Sequence, residues 1–209
     1  MRREYVEGGL SEDDLAADPI TMFARWFDDA AVVGLHEPNA MVLATVSPAG
    51  LPSARMVLLK GFGPEGFRFF TNYDSRKGDE LTTNPACSVL FPWHALSRQV
   101  RVEGTAARLP REESAAYFET RPRASQIGAW ASPQSRVVES REWLDARYAV
   151  ESERFATSPD VPLPPYWGGY LVVPDSLEFW QGREGRMHDR LRYRRRQGGP
   201  GWMIERLAP

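Results

Sequence analysis

The chain holds one cysteine, Cys87, among its 209 residues. No intramolecular disulfide can form, and a structural zinc site of the cysteine-rich kind is excluded. Cys87 lies in the apolar run Ala86-Cys87-Ser88-Val89-Leu90-Phe91, a setting that suits a packing residue better than a nucleophile. No window approaches the ~20 continuous apolar residues that a membrane-spanning helix needs. The opening Met1-Arg2-Arg3-Glu4-Tyr5 is charged and no apolar signal region follows it, so a cytoplasmic protein is expected. An excess of one charge is missing too: 26 Lys and Arg face 28 Asp and Glu, which gives no global pull toward nucleic acid. Internal repeats and linker-like stretches are likewise lacking, and a single domain over residues 1–209 is the expectation.

What is present is enough for an ordinary core, since 42% of the residues are apolar. Residues 17–35 contain a helical pattern, with Ile20, Phe23, Ala24, Trp26, Phe27 and Ala30 on one stripe over 19–33. Asp18-Pro19 supplies an N-cap and a first-turn proline. Across residues 40–109 the period becomes two, with strands expected at 41–46, 54–59, 67–71, 86–91 and 100–107. Ser47-Pro48-Ala49-Gly50 and Gly63-Pro64 read as turns. Such short connections favour an antiparallel meander or barrel over a parallel nucleotide-binding sheet. Residues 110–157 contain helices at 111–120, 125–130 and 139–155, and the proline-rich 158–165 reads as a loop. Over residues 166–209, strands at 170–173, 177–180, 191–194 and 202–206 complete the barrel. The fold class is mainly β with flanking helices.

Several charges have no structural reason to lie where they do. Arg55 and Lys60 bracket Met56-Val57-Leu58-Leu59 and fall on opposite faces of a regular strand; solvated edge charges are the plain alternative. Thr71-Asn72-Tyr73-Asp74-Ser75-Arg76-Lys77-Gly78 opens a helix whose backbone N–H groups, with Ser75, Arg76 and Lys77, suit a phosphate, although a Ser-capped turn has the same residues. Tyr117 and Arg121 are spaced to share a helix face, with Ser125 able to cap the next helix; this donor set fits a phosphate monoester. In Glu178-Phe179-Trp180-Gln181-Gly182-Arg183-Glu184-Gly185-Arg186-Met187-His188-Asp189-Arg190, Arg186 and His188 alternate and project from one side of an extended segment. Such a pair can polarise an anionic or phenolic ligand, and a salt-bridged surface turn is the competing reading. Two separable anion-binding clusters emerge, room for two phosphate-bearing ligands.

Taken in order, these motifs resemble the pyridoxamine 5'-phosphate oxidase family almost end to end. The resemblance rests on Arg2-Arg3-Glu4-Tyr5, the run from Arg55 to Lys60, Phe69-Phe70-Thr71-Asn72 with Ser75-Arg76-Lys77, and Arg98-Gln99-Val100. It continues through Arg121-Pro122-Arg123-Ala124-Ser125-Gln126-Ile127-Gly128-Ala129-Trp130, Trp167-Gly168-Gly169-Tyr170, and Glu178-Phe179-Trp180-Gln181-Gly182 with Arg186-Met187-His188-Asp189-Arg190. It implies an FMN-binding split β-barrel, antiparallel and Greek-key-like, working as a homodimer with active sites at the interface. FMN contacts carried over from the family are Arg55, Met56, Val57, Leu58, Leu59, Lys60, Phe70, Thr71, Ser75, Arg76, Lys77, Gln99, Gln134, Ser135, Trp180 and Arg190. Substrate contacts carried over are Arg2, Tyr5, Lys60, Tyr117, Arg121, Ser125, Arg186 and His188, the last two as the catalytic pair, with no metal. Residues 1–16 resemble a lid. Position 70 departs, being Phe where some relatives have Tyr. The implied activity is oxidation of pyridoxamine or pyridoxine 5'-phosphate to pyridoxal 5'-phosphate, with dioxygen as acceptor, hydrogen peroxide as by-product and ammonia released from the amine. The alternatives are a related split-barrel flavin oxidase with another substrate, or a non-catalytic module binding FMN or pyridoxal phosphate.

Overall fold

The computed structural model describes residues 9–209, so Arg2, Tyr5 and half of the expected lid, residues 1–8, lie outside the described residues. Helix α1 (Pro19–Val32) starts where the sequence places it, because Asp18 Oδ1 accepts from the Ile20 and Thr21 N–H groups at 3.0 and 2.9 Å. Its apolar stripe plugs the sheet. Phe23 is fully buried and meets Phe62, Phe67 and Phe91 edge-on at 4.8–4.9 Å.

Six strands and one helix follow: β1 (Ala40–Val46), β2 (Pro52–Leu58), β3 (Gly61–Gly63), β4 (Gly66–Asn72), α2 (Arg76–Thr83), β5 (Ala86–Trp93) and β6 (Arg98–Arg108). The three-residue β3 was not expected; at that length a strand has no readable period. Helices α3 (Arg111–Glu119), α4 (Arg123–Ala131) and α5 (Arg141–Arg154) cover a second, smaller core of Phe118, Ile127, Phe155, Val161 and Trp167. The chain closes with β7 (Trp167–Gln181), β8 (Asp189–Arg195) and β9 (Trp202–Arg206).

All pairings are antiparallel in one curled sheet, ordered β2-β1-β5-β6-β7-β4-β3, with β8 on β7 and β9 on β8. The 15-residue β7 organises it. One edge pairs with β6 from Tyr170 to Gln181, while the other pairs first with β4 and then with β8. Two strands, at 170–173 and 177–180, were expected here, and they form one. The break in pattern is a β-bulge: Gly104 pairs with Pro174 and Glu103 with Ser176, leaving Asp175 as the extra, exposed residue. The proline, which cannot donate to a ladder, sits where pairing is already irregular.

Three local expectations change. Ser125 lies inside α4, whose N-cap position is Pro122, because Pro122 can start a helix but not continue one. Arg121 falls just beyond α3 and does not share its face with Tyr117. The segment carrying Arg186 is not extended: Glu184–Arg186 form a 3-10 turn, with Gly185 and Arg186 both at φ 62°. The glycine admits that left-handed turn.

A Cβ at Gly104 would overlap the Val173 carbonyl, so the bulge requires glycine there. Gly104→Ala is expected to destabilise the protein by about 1–3 kcal/mol. A urea denaturation midpoint equal to that of the unaltered chain would contradict this account of the bulge.

Candidate active site

A cavity of about 600 Å³ opens between the end of β2, β4, the start of α2 and the α3–α4 junction. Among the described residues, three cationic side chains line it, Lys60, Lys77 and Arg121, and no carboxylate does. One wall is aromatic: Phe70 stacks on Tyr117 at 3.9 Å and on Trp167 at 5.6 Å. Met56, Val57 and Leu58 supply an apolar strip, and Thr71, Ser125 and Gln134 supply hydroxyl and amide groups. An apolar cleft with convergent polar groups is the usual form of a small-ligand site.

The electrostatics are uneven. Lys77 is 8% exposed, and its Nζ donates to Gln134 Oε1 at 2.6 Å, Thr71 Oγ1 at 3.1 Å and Ser75 Oγ at 3.4 Å. All three acceptors are neutral. Burial, aided by the nearby Arg55 charge, pushes this ammonium down to about 8. The Arg121 guanidinium carbon sits over the Trp167 ring, 4.7 Å from its centroid. Its Nη1 is buried with no hydrogen-bond partner among the described residues, and burial lowers the guanidinium's pKa. Two cations at least partly desolvated, with no counter-charge among the described residues, describe a place for an anion.

Beside the cavity sits the opposite arrangement. Glu80 on α2 is 3% exposed and accepts from the Thr45 hydroxyl, from Ser53 Oγ at 2.7 Å, from Arg76 Nε at 2.9 Å and from Arg55 Nη2 at 3.2 Å. Burial works to raise its carboxyl, but these hydrogen bonds outweigh that and hold it at about 2. Arg55 therefore faces Glu80 and the Leu43 carbonyl and does not line the cavity. Arg76 and Ser135 border an adjoining cleft of about 380 Å³. Ser75 caps α2, and the Leu59 side chain belongs to the main core. Lys60 lies past the end of β2, so regular-strand alternation does not govern its side chain.

The remaining expected residues lie elsewhere. Gln99 pairs with Trp180, and Trp180 with Arg190, across β6, β7 and β8. The His188 ring sits 4.6 Å from that of Trp180. Arg190 is held by Glu178 at 2.9 and 3.1 Å. This group, with Arg186, occupies the far end of β7, whereas the cavity holds its first residue, Trp167. Sequence reasoning gave no role to Glu80 or to the Trp167 stack. The i,i+4 spacing of Arg76 and Glu80 on one helix was the available signal for the first.

Comparison with known proteins gives a consistent result. Residues 27–153 match the family described as Pyridoxamine 5'-phosphate oxidase, and residues 167–209 match the Pyridoxine 5'-phosphate oxidase C-terminal dimerisation region. A pyridoxine/pyridoxamine 5'-phosphate oxidase of Rubrobacter xylanophilus is 59% identical over 209 residues, covering 100% of this chain and 95% of its own. One from a Nocardioides species is 60% identical over 210 residues, covering 100% and 96%. Among solved structures, PhzG from Burkholderia lata, crystallised with tetrahydrophenazine-1-carboxylic acid, superposes with TM-score 0.87 at 34% identity, covering 94% of this chain and 95% of its own.

Lys77 generates a pH prediction. An anion seated beside it stabilises the ammonium and raises its pKa above 8 in the complex. Affinity for a phosphate ester is therefore full below pH 8 and declines as pH rises through it, while the ester itself, with its second pKa near ~6, stays a dianion. Titration calorimetry checks this, and Lys77→Met should flatten the decline. An equally steep decline in the variant would assign it to another group.

Proposed function

The chain belongs to the pyridoxamine 5'-phosphate oxidase family, and on that premise we propose that the cavity and the far-end cluster are two halves of one active site, completed when two copies pair. Its activity is that of an oxidoreductase acting on the phosphorylated amine and alcohol forms of vitamin B6. The observation that carries the site assignment is a pair of cations in one cavity, buried Lys77 and half-buried Arg121, with no counter-charge among the described residues. Two phosphate-bearing ligands, cofactor and substrate, account for two such cations.

FMN fits the residues present. Its phosphate suits Lys77, Thr71 and the capped start of α2, with Arg76 and Ser135 alongside; its ring suits the strip Met56, Val57 and Leu58, where Met56 is 58% exposed. The chemistry supplied by FMN when bound is acceptance of a hydride equivalent from the substrate C4' carbon, with dioxygen as final acceptor and hydrogen peroxide as product. The chain's own residues bind and orient. Arg121, Lys60, Tyr117 and Ser125 hold the substrate phosphate, and the Phe70–Tyr117–Trp167 stack keeps Arg121 in place against an apolar face. Arg186 and His188, brought by the second copy, face the pyridine ring and its oxygen substituent. Gln99, Trp180 and Arg190 stand with them on the same sheet face region. Fixing the reacting carbon in this way can lower a barrier by several kcal/mol, up to ~7–11 in favourable cases.

The match of residues 167–209 to a dimerisation region supports a homodimer, and Trp180, Arg186, His188 and Arg190 all fall within it. No helix among the described residues is long and apolar enough to cross a membrane, and a cytoplasmic setting is part of the same reading.

Anaerobic addition of pyridoxine 5'-phosphate to the FMN-loaded protein tests the proposal. The expected outcome is bleaching of the flavin absorbance, reversed by air with release of pyridoxal 5'-phosphate. Persistent yellow colour with FMN bound would reject this substrate.

A further inference from the structure

The loop 182–188, which carries Arg186 and His188, is fastened from outside the site by one carboxylate. Asp189, the first residue of β8, is 8% exposed. Its Oδ2 accepts from the Leu10 N–H at 3.0 Å and from Arg183 Nη1 at 3.2 Å, while Oδ1 accepts from Arg206 Nη1 at 2.7 Å. Arg206 in turn clasps Glu12 through two bonds of 2.9 Å and donates to the Leu10 carbonyl at 3.2 Å. Three separate segments therefore meet at Asp189: the entering chain, the loop and β9. A Cβ added at Gly9 would lie 2.9 Å from Arg183 Nη1, so the backbone at Gly9 packs against that guanidinium.

Arg183 is held a second time, through its backbone. Its N–H donates to His188 Nδ1 at 3.1 Å. A ring nitrogen that accepts a hydrogen bond carries no proton, so in the neutral imidazole the proton sits on Nε2. The ring also rests against Trp180, with centroids 4.6 Å apart and planes at 46°. Arg183 thus links Asp189 to the His188 ring: guanidinium on the carboxylate, backbone on the imidazole. The Arg183 side chain is 53% exposed, and an ion pair of that kind contributes little to stability. Its consequence is geometric.

We propose that Asp189 and Arg183 are positioning residues that fix the ring orientation and tautomer of His188, so that it presents an Nε2–H donor toward the oxygen substituent of the substrate ring. The Leu10–Asp189 bond ties the N-terminal segment to the same loop, so that segment and the His188 donor are set by one anchor. The inference rests on the reading of His188 as a substrate-facing group. It assigns that ring a donor role: with Nδ1 committed to the Arg183 N–H, neutral His188 has no nitrogen left to act as a base.

The experiment is a ring-nitrogen NMR spectrum of the FMN-loaded dimer labelled with ¹⁵N-histidine. The chain has three histidines, His36, His94 and His188, and His188→Gln identifies the third signal by its loss. The unaltered protein is expected to show His188 with the proton on Nε2. In Asp189→Asn and Arg183→Ala, the two ring-nitrogen signals should move toward tautomer averaging. In the same variants kcat should fall, by up to about 100-fold for a misplacement on the order of 1 Å. KM for the phosphorylated substrate and FMN affinity should stay within about twofold, because the phosphate-binding cations are at the other end of β7. Arg183→Ala, with its half-exposed side chain, carries the test if Asp189→Asn fails to fold. A His188 proton on Nδ1 in the unaltered protein, ring signals unmoved in the variants, or an unchanged kcat would each overturn the proposal. The ring signals are read without turnover, so an absence of oxidase activity in the unaltered protein would count against the proposed function alone.

Discussion

A β-strand advances about 3.3 Å per residue and cannot fold back on itself, which fixes how far apart its ends lie. Trp167 and Trp180 stand thirteen residues apart on the single strand β7, about 40 Å measured along it. The first belongs to the wall of the cationic cavity and the second to the cluster of Gln99, His188 and Arg190. The bulge at Asp175 bends this strand without interrupting it. Continuity of β7 therefore separates two groups of residues that the proposed reaction needs together, and pairing of two chains is the economical way to reunite them. A closed symmetric pair would reunite them twice, giving two equivalent sites.

Charge within the cavity follows a second constraint. Arg55, Arg76 and Lys77 crowd the start of α2, and three neighbouring cations repel. Glu80 answers two of them from a buried position and draws further hydrogen bonds from Thr45 and Ser53. Glu80 is buried while its partners Arg55 and Arg76 are partly exposed, so the network ties β1, β2 and α2 together through one satisfied carboxylate. Among the described residues Lys77 is left with neutral acceptors alone, which is why it is proposed to receive a phosphate. Helix α2 thus turns Glu80 toward Arg55 of β2 and its own Arg76, while its Lys77 lines the cavity.

Much of this was legible in the sequence where local chemistry decides the outcome. Asp18-Pro19 placed the start of α1, Ser75 the start of α2, and period-two runs placed the strands flanking them. The misses have physical causes. Pro174 and Asp175 break the alternation of β7, and whether two strands are one depends on a partner, Gly104, some seventy residues earlier. Gly185 turns the loop that spacing alone renders extended. Lys60, Tyr117, Arg121 and Ser125 were expected together as a phosphate-binding set because such residues recur where a strand or helix has no use for them, and they do line one cavity. The pairing of Arg55 with Glu80 was not legible, because it joins β2 to a helix some twenty-five residues later. Nor can sequence distances show that the expected contacts fall into two groups on opposite ends of one strand.

The sharing of one site between two chains is the claim on which the rest stands. It is tested most directly by pairing differently tagged Arg121→Ala and Arg186→Ala chains and measuring turnover of the purified mixed dimer. If the halves come from different chains, one site collects both lesions and the other is intact, giving about half the turnover of the unaltered dimer, one site of two. If each site is built within a single chain, both sites carry one lesion, and turnover no higher than that of either parent variant would contradict the account.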